Sequence, residues 1–228
     1  METTEKDLAI FEGDRAFNYD NFVQQWIPNY DYFMSAVSRL LSSVTEKTLL
    51  SVGCGTGNES WVLKETYAKW SVVGVDPSPE MIEIARKKLA HLKKLKLIVG
   101  EVEHLDYQNY FGAASLILVL HFIRYPKEKL KLLTEIYNRL KPGAPLIIMG
   151  IFGNKEQLRV NLDVLQSLLP QELCQKEITE RLERITTRLY RTSENDLVKL
   201  LVRAGFQKPT RFFQCSIYSG WITRKNSS

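Results

Sequence analysis

Long apolar stretches are missing from this sequence. A helix that crosses a bilayer needs about 20 consecutive apolar residues, and no stretch of the 228 residues approaches that length. The first seven residues also lack the basic region and apolar segment that mark a secretory signal. We therefore expect no membrane partner and a cytoplasmic location.

Cysteine is scarce as well, with Cys54, Cys174 and Cys215 as the full set. An odd number of cysteines at such wide spacing indicates neither a disulfide framework nor a zinc site. We expect no metal and a reducing compartment. Cys54 lies inside a glycine-rich turn, where we interpret it as a small apolar filler rather than a nucleophile.

Acidic residues are in the minority, since 31 Lys and Arg stand against 26 Asp and Glu, a formal net charge of +5. The basic residues gather in segments 86–96 and 127–131. Such clusters can contact RNA phosphates, but on amphipathic helices they more often form a solvated face. No RNA-binding module with stacking aromatics accompanies them. A nucleic-acid partner is therefore not expected, although a tRNA substrate stays open.

A glycine-rich turn follows the first strongly apolar run. Residues 49–52 are typical of a buried parallel strand, and Gly53, Gly55 and Gly57 follow at alternate positions. Glycine lets the backbone turn sharply and lets a ligand approach it closely. Because a helix is predicted to begin at Asn58, the strand, the turn and the helix N-terminus together predict a pocket for a nucleotide-like ligand.

An acidic residue closes the second apolar run, 71–76. Asp76 lies nineteen positions after Gly57, at a strand end where a carboxylate can accept both hydroxyls of a ribose. The glycine spacing is G-x-G-x-G, whereas dinucleotide sites use G-x-G-x-x-G. Adenosine therefore fits the predicted pocket, and a pyrophosphate has no obvious place in it.

These two stretches resemble motif I and the ribose-binding strand of the class I S-adenosylmethionine-dependent methyltransferases. Leu120-His121 and the Leu-Lys-Pro-Gly-x-x-Leu run at 140–146 resemble further parts of that family. The resemblance implies S-adenosylmethionine as cofactor. It also implies a Rossmann-like α/β fold of three layers, with a seven-stranded, mostly parallel sheet that has one antiparallel strand.

We expect a single domain over residues 1–228. Within it, residues 1–44 should form an N-terminal helical cap and 45–153 the core that binds the cofactor. Residues 154–191 should form a helical lid inserted after the fifth strand, and 192–228 a C-terminal helix and β-hairpin.

The insertion is predicted to hold two helices, over 155–169 and 171–189. In the second, Glu177 and Arg181 are spaced to form an i,i+4 ion pair. An insertion at this point forms either a lid over the substrate or a dimer surface. The sequence therefore allows a monomer or a homodimer.

The resemblance assigns a set of residues to the cofactor. Met81 would lie against the adenine, and Glu101 stands where the family places an acid near the adenine amino group. Tyr30 resembles a cofactor-contacting tyrosine of the carboxy-S-adenosylmethionine synthases and their relatives, and Tyr19 one found in many small-molecule methyltransferases. The full set is Tyr19, Tyr30, Gly53, Cys54, Gly55, Gly57, Asp76, Pro77, Met81, Glu101, Val102 and Ile117.

Three positions depart from the family pattern. Ser51 stands where most members have an acid that helps to hold the cofactor's amino group, so that contact should weaken or move to another residue or to water. Gly112 replaces an acid at the start of the fourth strand. Ile117 lies near an asparagine of the carboxy-S-adenosylmethionine synthases, which also lack the full three-glycine pattern. The chain therefore resembles an ordinary methyltransferase more than a synthase.

Methyl transfer from a sulfonium needs alignment and exclusion of water more than it needs a catalytic triad. A general base is required only when the acceptor is protonated. His121, predicted just past the fourth strand at the carboxyl edge of the sheet, is the candidate base. Arg191 lies near the place of an arginine that binds the carboxylate of the modified cofactor in the synthases, with Arg188 as the alternative. Either arginine is otherwise a solvated lid residue.

The sequence thus predicts an enzyme, an S-adenosylmethionine-dependent methyltransferase with a small-molecule acceptor. Three alternatives stay open. They are a cofactor-modifying enzyme like the carboxy-S-adenosylmethionine synthases, a tRNA methyltransferase, and a non-catalytic protein that binds S-adenosylmethionine.

Overall fold

The computed structural model describes residues 13–108 and 110–227. Its strands form one sheet in the order β3-β2-β1-β4-β5-β7-β6. β7 runs antiparallel to both β5 and β6, and the other pairs are parallel. This confirms the predicted Rossmann-like sheet. The strands are β1 (Thr48–Val52), β2 (Ser71–Asp76), β3 (Leu95–Val99), β4 (Ala113–Ile117), β5 (Pro145–Ile151), β6 (Thr210–Cys215) and β7 (Tyr218–Arg224).

Helices cover both faces of the sheet, as predicted. Two short 3-10 helices, Val102–His104 and Leu120–Phe122, follow β3 and β4. The α-helices are α1 (Asp14–Phe17), α2 (Tyr19–Trp26), α3 (Tyr30–Leu41), α4 (Asn58–Thr66), α5 (Pro79–Lys88), α6 (Pro126–Arg139), α7 (Lys155–Leu168), α8 (Gln175–Arg188) and α9 (Glu194–Arg203).

Alternate residues of the strands enter two separate cores. Leu49 of β1 packs in one core with α2, α3, α4 and the two insertion helices, and Leu50 packs in the other with α6 and α9. Successive side chains of a strand point to opposite faces, so a strand covered on both sides must be apolar throughout. The apolar run at 49–52 therefore reflects a central strand of a three-layer fold.

The direction of the strand order reverses at β1. This strand pairs with β2 on one side and with β4 on the other, so Ser51 lies opposite both Gly74 and Ser115. In open α/β sheets ligands bind at such a reversal, beyond the carboxyl ends of the strands. The glycine turn leaves β1 and Asp76 ends β2 at this point, which positions the site.

Element bounds differ from the predicted ones at three places. The sequence predicts a fourth strand over about 113–119, but β4 ends at Ile117 because Leu118 adopts a left-handed φ of 60°. The second insertion helix begins at Gln175 instead of residue 171, since a turn closed by a Leu173 N–H to Pro170 O bond comes first. The helix after Pro77 is predicted to end near Leu92, and α5 ends at Lys88.

The N-terminal cap is helical on both sides of Pro28, as predicted, with a further break between α1 and α2. Its first twelve residues lie outside the described residues. None of the helices in the described part of the chain has the length and apolar character that a membrane span requires.

Candidate cofactor and acceptor site

The glycine turn is fixed to the neighbouring strand by backbone hydrogen bonds. The N–H groups of Gly53 and Cys54 both donate to Val75 O, at 2.8 and 3.1 Å. Gly53 has a φ of +63°, and a Cβ placed on it would lie 2.4 Å from Val119 Cγ2. Only glycine satisfies both this conformation and this close approach.

Asp76 closes the turn from the end of β2. Its Oδ2 accepts from Gly55 N at 2.8 Å and its Oδ1 accepts from Ser78 N at 2.9 Å. Burial raises the pKa of this carboxyl, and the two backbone donors oppose the rise. Each oxygen retains lone-pair capacity, so the carboxylate is held in place while it can still accept hydroxyl donors.

A second buried carboxylate, Glu59, lies beside the first. Ser51 is fully buried, and its Oγ donates to Glu59 Oε1, while Glu59 itself is 6% exposed. Burial raises the pKa of Glu59, and the Ser51 hydrogen bond acts in the opposite direction. Glu59 was not among the residues predicted from the sequence. The one signal for it was the missing acid at Ser51, beside which Glu59 places a carboxylate from the first turn of α4.

The N-terminal helices are fastened onto the glycine turn by polar contacts. Asp20 of α2 accepts from Thr56 Oγ1 at 2.5 Å, from Asn58 Nδ2 at 3.0 Å and from Lys88 Nζ at 2.7 Å. Tyr30 Oη accepts from Asn58 Nδ2 at 3.2 Å. We name the three contacts of Asp20 the Asp20 clasp. These contacts hold segment 19–30 against the glycine turn.

Both predicted tyrosines reach this place. Burial raises the pKa of Tyr19 and of Tyr30 far above the ordinary range. The negative charges of Glu59, Asp76 and Asp20 also raise the pKa of Tyr19. Both phenols stay neutral, so they act as walls and hydrogen-bond groups.

A cavity of about 90 Å³ lies beside Tyr19, between α2, α8 and the ends of β4 and β5. We name it the acceptor pocket. Its walls are mostly aliphatic and aromatic, with one histidine and three arginines. The lining residues are Tyr19, Phe22, Val23, Ile27, Leu118, His121, Phe122, Ile151, Arg181, Arg184, Ile185, Arg188, Leu189 and Tyr218.

His121 lines the acceptor pocket and is 5% exposed. Burial, with the positive charges of Arg181 and Lys129, lowers its pKa to about 3. Its Nδ1 has no hydrogen-bond partner within the described residues. The imidazole is therefore neutral across the physiological range.

Comparison with known proteins agrees with this geometry. A family model described as a methyltransferase domain matches residues 50–148. Over 219 residues the chain is 27% identical to the carboxy-S-adenosyl-L-methionine synthase of Campylobacter fetus, covering 91% of this chain and 90% of that protein. It is also 30% identical over 109 residues to the malonyl-[acyl-carrier protein] O-methyltransferase of Priestia megaterium, covering 48% of this chain and 38% of that protein.

Solved structures show the same fold. The structure of PigF with SAH superposes with a TM-score of 0.67 at 16% identity, covering 96% of this chain and 62% of that one. Human N-acetylserotonin methyltransferase in complex with SAM superposes with a TM-score of 0.58 at 17% identity, covering 85% and 55%. Residues 50–148 form a methyltransferase domain, and the chain has the fold of S-adenosylmethionine-dependent methyltransferases. The match supports an enzyme that uses S-adenosylmethionine as its cofactor.

The donor set of this methyltransferase fits the cofactor. A Cβ added to Gly55 would have Tyr19 Cε1, at 3.9 Å, as its nearest neighbour, so the turn tolerates a close approach there and Tyr19 lies next to it. Two buried carboxylates, Asp76 and Glu59, flank the turn, and they match the ribose hydroxyls and the ammonium group of the ligand. Within residues 13–108 and 110–227, no three His, Cys, Asp or Glu side chains are grouped so that they could hold a metal ion.

The remaining predicted residues take several positions in the methyltransferase fold. Met81 is buried in the first turn of α5, where its N–H donates to Ser78 Oγ at 3.2 Å. Cys54 is buried against Gly74, since a Cβ added there would lie 2.9 Å from its Sγ. Pro77 follows Asp76 directly.

Other predicted residues sit at the ends of β3 and β4. Glu101 and Val102 follow β3, and Val102 is buried in the core. Ile117 is the buried last residue of β4. Arg191 is exposed and donates to Thr186 O at 3.4 Å, whereas the alternative, Arg188, lines the acceptor pocket.

Proposed function

We propose that this enzyme transfers the methyl group of S-adenosylmethionine to a small-molecule acceptor. The observation that supports this most is the position of Tyr19. Its ring faces Gly55 of the cofactor turn on one side and lines the acceptor pocket on the other. A cofactor at the turn and an acceptor in the pocket would then both lie beside Tyr19, and in-line transfer requires that the acceptor atom reach the methyl group directly past this ring.

The sulfonium of the bound cofactor supplies the activated methyl group, and the chain supplies binding and alignment. Asp76 accepts the ribose hydroxyls, and Met81 and Glu101 lie towards the adenine. Glu59 takes the role of the acid that Ser51 lacks, because its carboxylate can accept from the α-ammonium group. The Asp20 clasp keeps α2 over the turn and so excludes water from the reacting atoms.

His121 contributes as a neutral polar group beside the acceptor. With a pKa of about 3 it is a weak proton acceptor in the free protein. An acceptor that is already deprotonated, or that carries an intrinsically nucleophilic atom, would therefore suit the pocket best. His121 then orients the acceptor by hydrogen bonding.

A second candidate function has one specific observation behind it. The match to carboxy-S-adenosyl-L-methionine synthases extends over 91% of this chain, so modification of the cofactor itself is the alternative to methyl transfer. Conversion of the cofactor would consume it without passing its methyl group to an acceptor.

We further propose a cytoplasmic enzyme. All three cysteines are free, and free thiols, one of them exposed, suit a reducing compartment. The proposed partner is a small molecule instead of RNA, since the lysine segments 86–96 and 127–131 contribute nothing to the acceptor pocket. The choice between monomer and homodimer stays open.

The test uses S-adenosylmethionine labelled in its methyl group, incubated with the protein and a deproteinised extract of small metabolites. Methyl transfer predicts release of S-adenosylhomocysteine together with label in a low-molecular-mass product. A heavier sulfonium that retains the label would support the synthase alternative, and label in added tRNA would support an RNA substrate. The Asp76→Ala variant serves as the inactive control.

A further inference from the structure

The acceptor pocket carries an excess of positive charge. Arg181, Arg184 and Arg188 lie three and four residues apart on α8, so they project from one face of the helix, and all three line the pocket. No aspartate or glutamate lines the pocket within the described part of the chain. A neutral apolar acceptor would leave this charge uncompensated.

Arg181 is the innermost of the three. It is half-buried, and its Cζ lies 4.5 Å from the centroid of the Phe22 ring. It also lies near the buried Tyr218 hydroxyl, where its positive charge opposes the rise in pKa that burial causes. These two contacts hold the guanidinium between α2 and β7, at the floor of the pocket. Because the guanidinium is already held in place, it loses little further conformational entropy when it binds a planar anion.

The hydrogen-bond donors of the Arg181 guanidinium are not all satisfied within the described part of the chain. The ion pair with Glu177 that the i,i+4 spacing predicts does not form, and within residues 13–108 and 110–227 no carboxylate lies within 4.0 Å of Arg181 or Arg188. The Nε of Arg181 is buried without a hydrogen-bond partner there. Arg184 has only a long contact of 3.8 Å to Glu180, and both side chains are exposed.

A buried donor without an acceptor costs free energy until a ligand provides one. A carboxylate matches the guanidinium fork, since it can accept two parallel N–H bonds. The other walls of the pocket, Val23, Ile27, Leu118, Ile151 and Ile185, favour an apolar body behind that carboxylate. Arg184 and Arg188, exposed at the rim, would attract an acid from solution.

We propose that the acceptor is a small, mostly apolar carboxylic acid whose carboxylate binds Arg181. This inference rests on the proposed function, since it names the substrate class of the same site. The carboxylate is an anchor and takes no part in the reaction. It turns the remainder of the acceptor towards His121 and towards Tyr19, which lines the pocket and lies near Gly55 of the cofactor turn.

The test compares acids with their neutral amides. Benzoate and benzamide, phenylacetate and phenylacetamide, and hexanoate and hexanamide are titrated by ligand-observed NMR into protein saturated with S-adenosylhomocysteine. We expect at least one acid to bind tenfold or more tightly than its amide. The Arg181→Met variant should lose that preference, and Arg181→Lys should keep part of it. Arg159→Met, an exposed arginine on α7 outside the pocket, should behave like the wild type.

The affinity for S-adenosylhomocysteine separates the possible failures. If it is unchanged in Arg181→Met, the variant is folded and its loss of acid binding supports the inference. Equal binding of acids and amides, or no binding of either, in protein that holds S-adenosylhomocysteine would overturn the acid acceptor and leave the cofactor assignment intact. Failure of S-adenosylhomocysteine to bind the wild type would overturn the proposed function and this inference with it.

Discussion

Ser51 and Glu59 are joined by a hydrogen bond at the base of the cofactor site. The Ser51 Oγ donates and the Glu59 carboxylate accepts, and both side chains are buried. The first turn of α4 thus places a buried carboxylate beside the serine of β1.

Replacement of Glu59 by glutamine should weaken binding of both S-adenosylmethionine and S-adenosylhomocysteine. We expect a loss of tenfold or more, about 1.4 kcal/mol, since a charged hydrogen bond to the ammonium group is removed. Titration calorimetry measures it. Methylthioadenosine, which lacks the amino acid part, should bind Glu59→Gln and the wild type equally.

Two further variants complete that test. Glu156→Gln, an exposed acid at the same position of α7, should bind like the wild type. Ser51→Asp combined with Glu59→Gln should recover affinity, because it returns the acid to β1. An equal loss for methylthioadenosine would show that Glu59 acts on the fold of the site instead of on the ammonium group.

The same substitution should stabilise the unliganded protein at neutral pH. Burial raises the folded-state pKa of Glu59, so the folded protein binds this proton more tightly than the unfolded chain does. The tighter proton binding adds to the free energy of unfolding at low pH, and this stabilisation is lost as the pH rises through the folded-state pKa of Glu59. Urea denaturation should therefore show Glu59→Gln to be more stable than the wild type at pH 7.5 and similar to it at pH 4. A variant less stable at both pH values would contradict the effect of burial.

His121 should make stability fall as the solution becomes acidic. Its pKa is lowered from 6.5 to about 3 in the folded protein, so below pH 6.5 the unfolded chain takes up a proton that the folded protein refuses. The cost is about 1.4 kcal/mol for each pH unit, or about 2 kcal/mol between pH 6.5 and pH 5. His121→Asn should lack this component. Parallel denaturation curves for the two proteins across this interval would refute a buried neutral imidazole.

The Asp20 clasp should control how long the cofactor stays bound. Asp20→Asn removes the charge that pairs with Lys88, 2.7 Å away. Because both side chains are partly exposed, the pair itself contributes at most about 1 kcal/mol. We expect roughly threefold to fivefold faster release of S-adenosylhomocysteine in stopped-flow measurements. Asp31→Asn on α3 is the matched control, and identical release rates for Asp20→Asn and the wild type would exclude the clasp from this role.

Local sequence patterns predicted the sheet, the glycine turn after β1 and the position of Asp76 at the end of β2. Gly53 and Asp76 lie at strand ends, where strand, turn and helix signals are encoded within a few residues of one another. Tyr19 was a candidate from the resemblance because α2 belongs to the helical segment that precedes β1. These features depend on contacts that the order of elements already determines.

The rest depends on tertiary contacts. An acid at the start of a helix, such as Glu59, is common because it interacts favourably with the helix dipole. Its second role is visible only from its contact with Ser51 in the fold. Arg181 is indistinguishable from a solvated helix arginine until Phe22 and Tyr218 are known to enclose it. Leu118 takes a left-handed conformation, which no local signal indicates. Long-range packing, not local propensity, determines these three residues.

The central claim, a cofactor site built on the glycine turn and Asp76, is tested most directly by titration of S-adenosylmethionine into the purified protein. We predict micromolar binding, a loss of at least tenfold in Asp76→Ala, and no change in Asp163→Ala, an exposed acid on α7. No binding to the wild type, or equal binding to Asp76→Ala and the wild type, would contradict it.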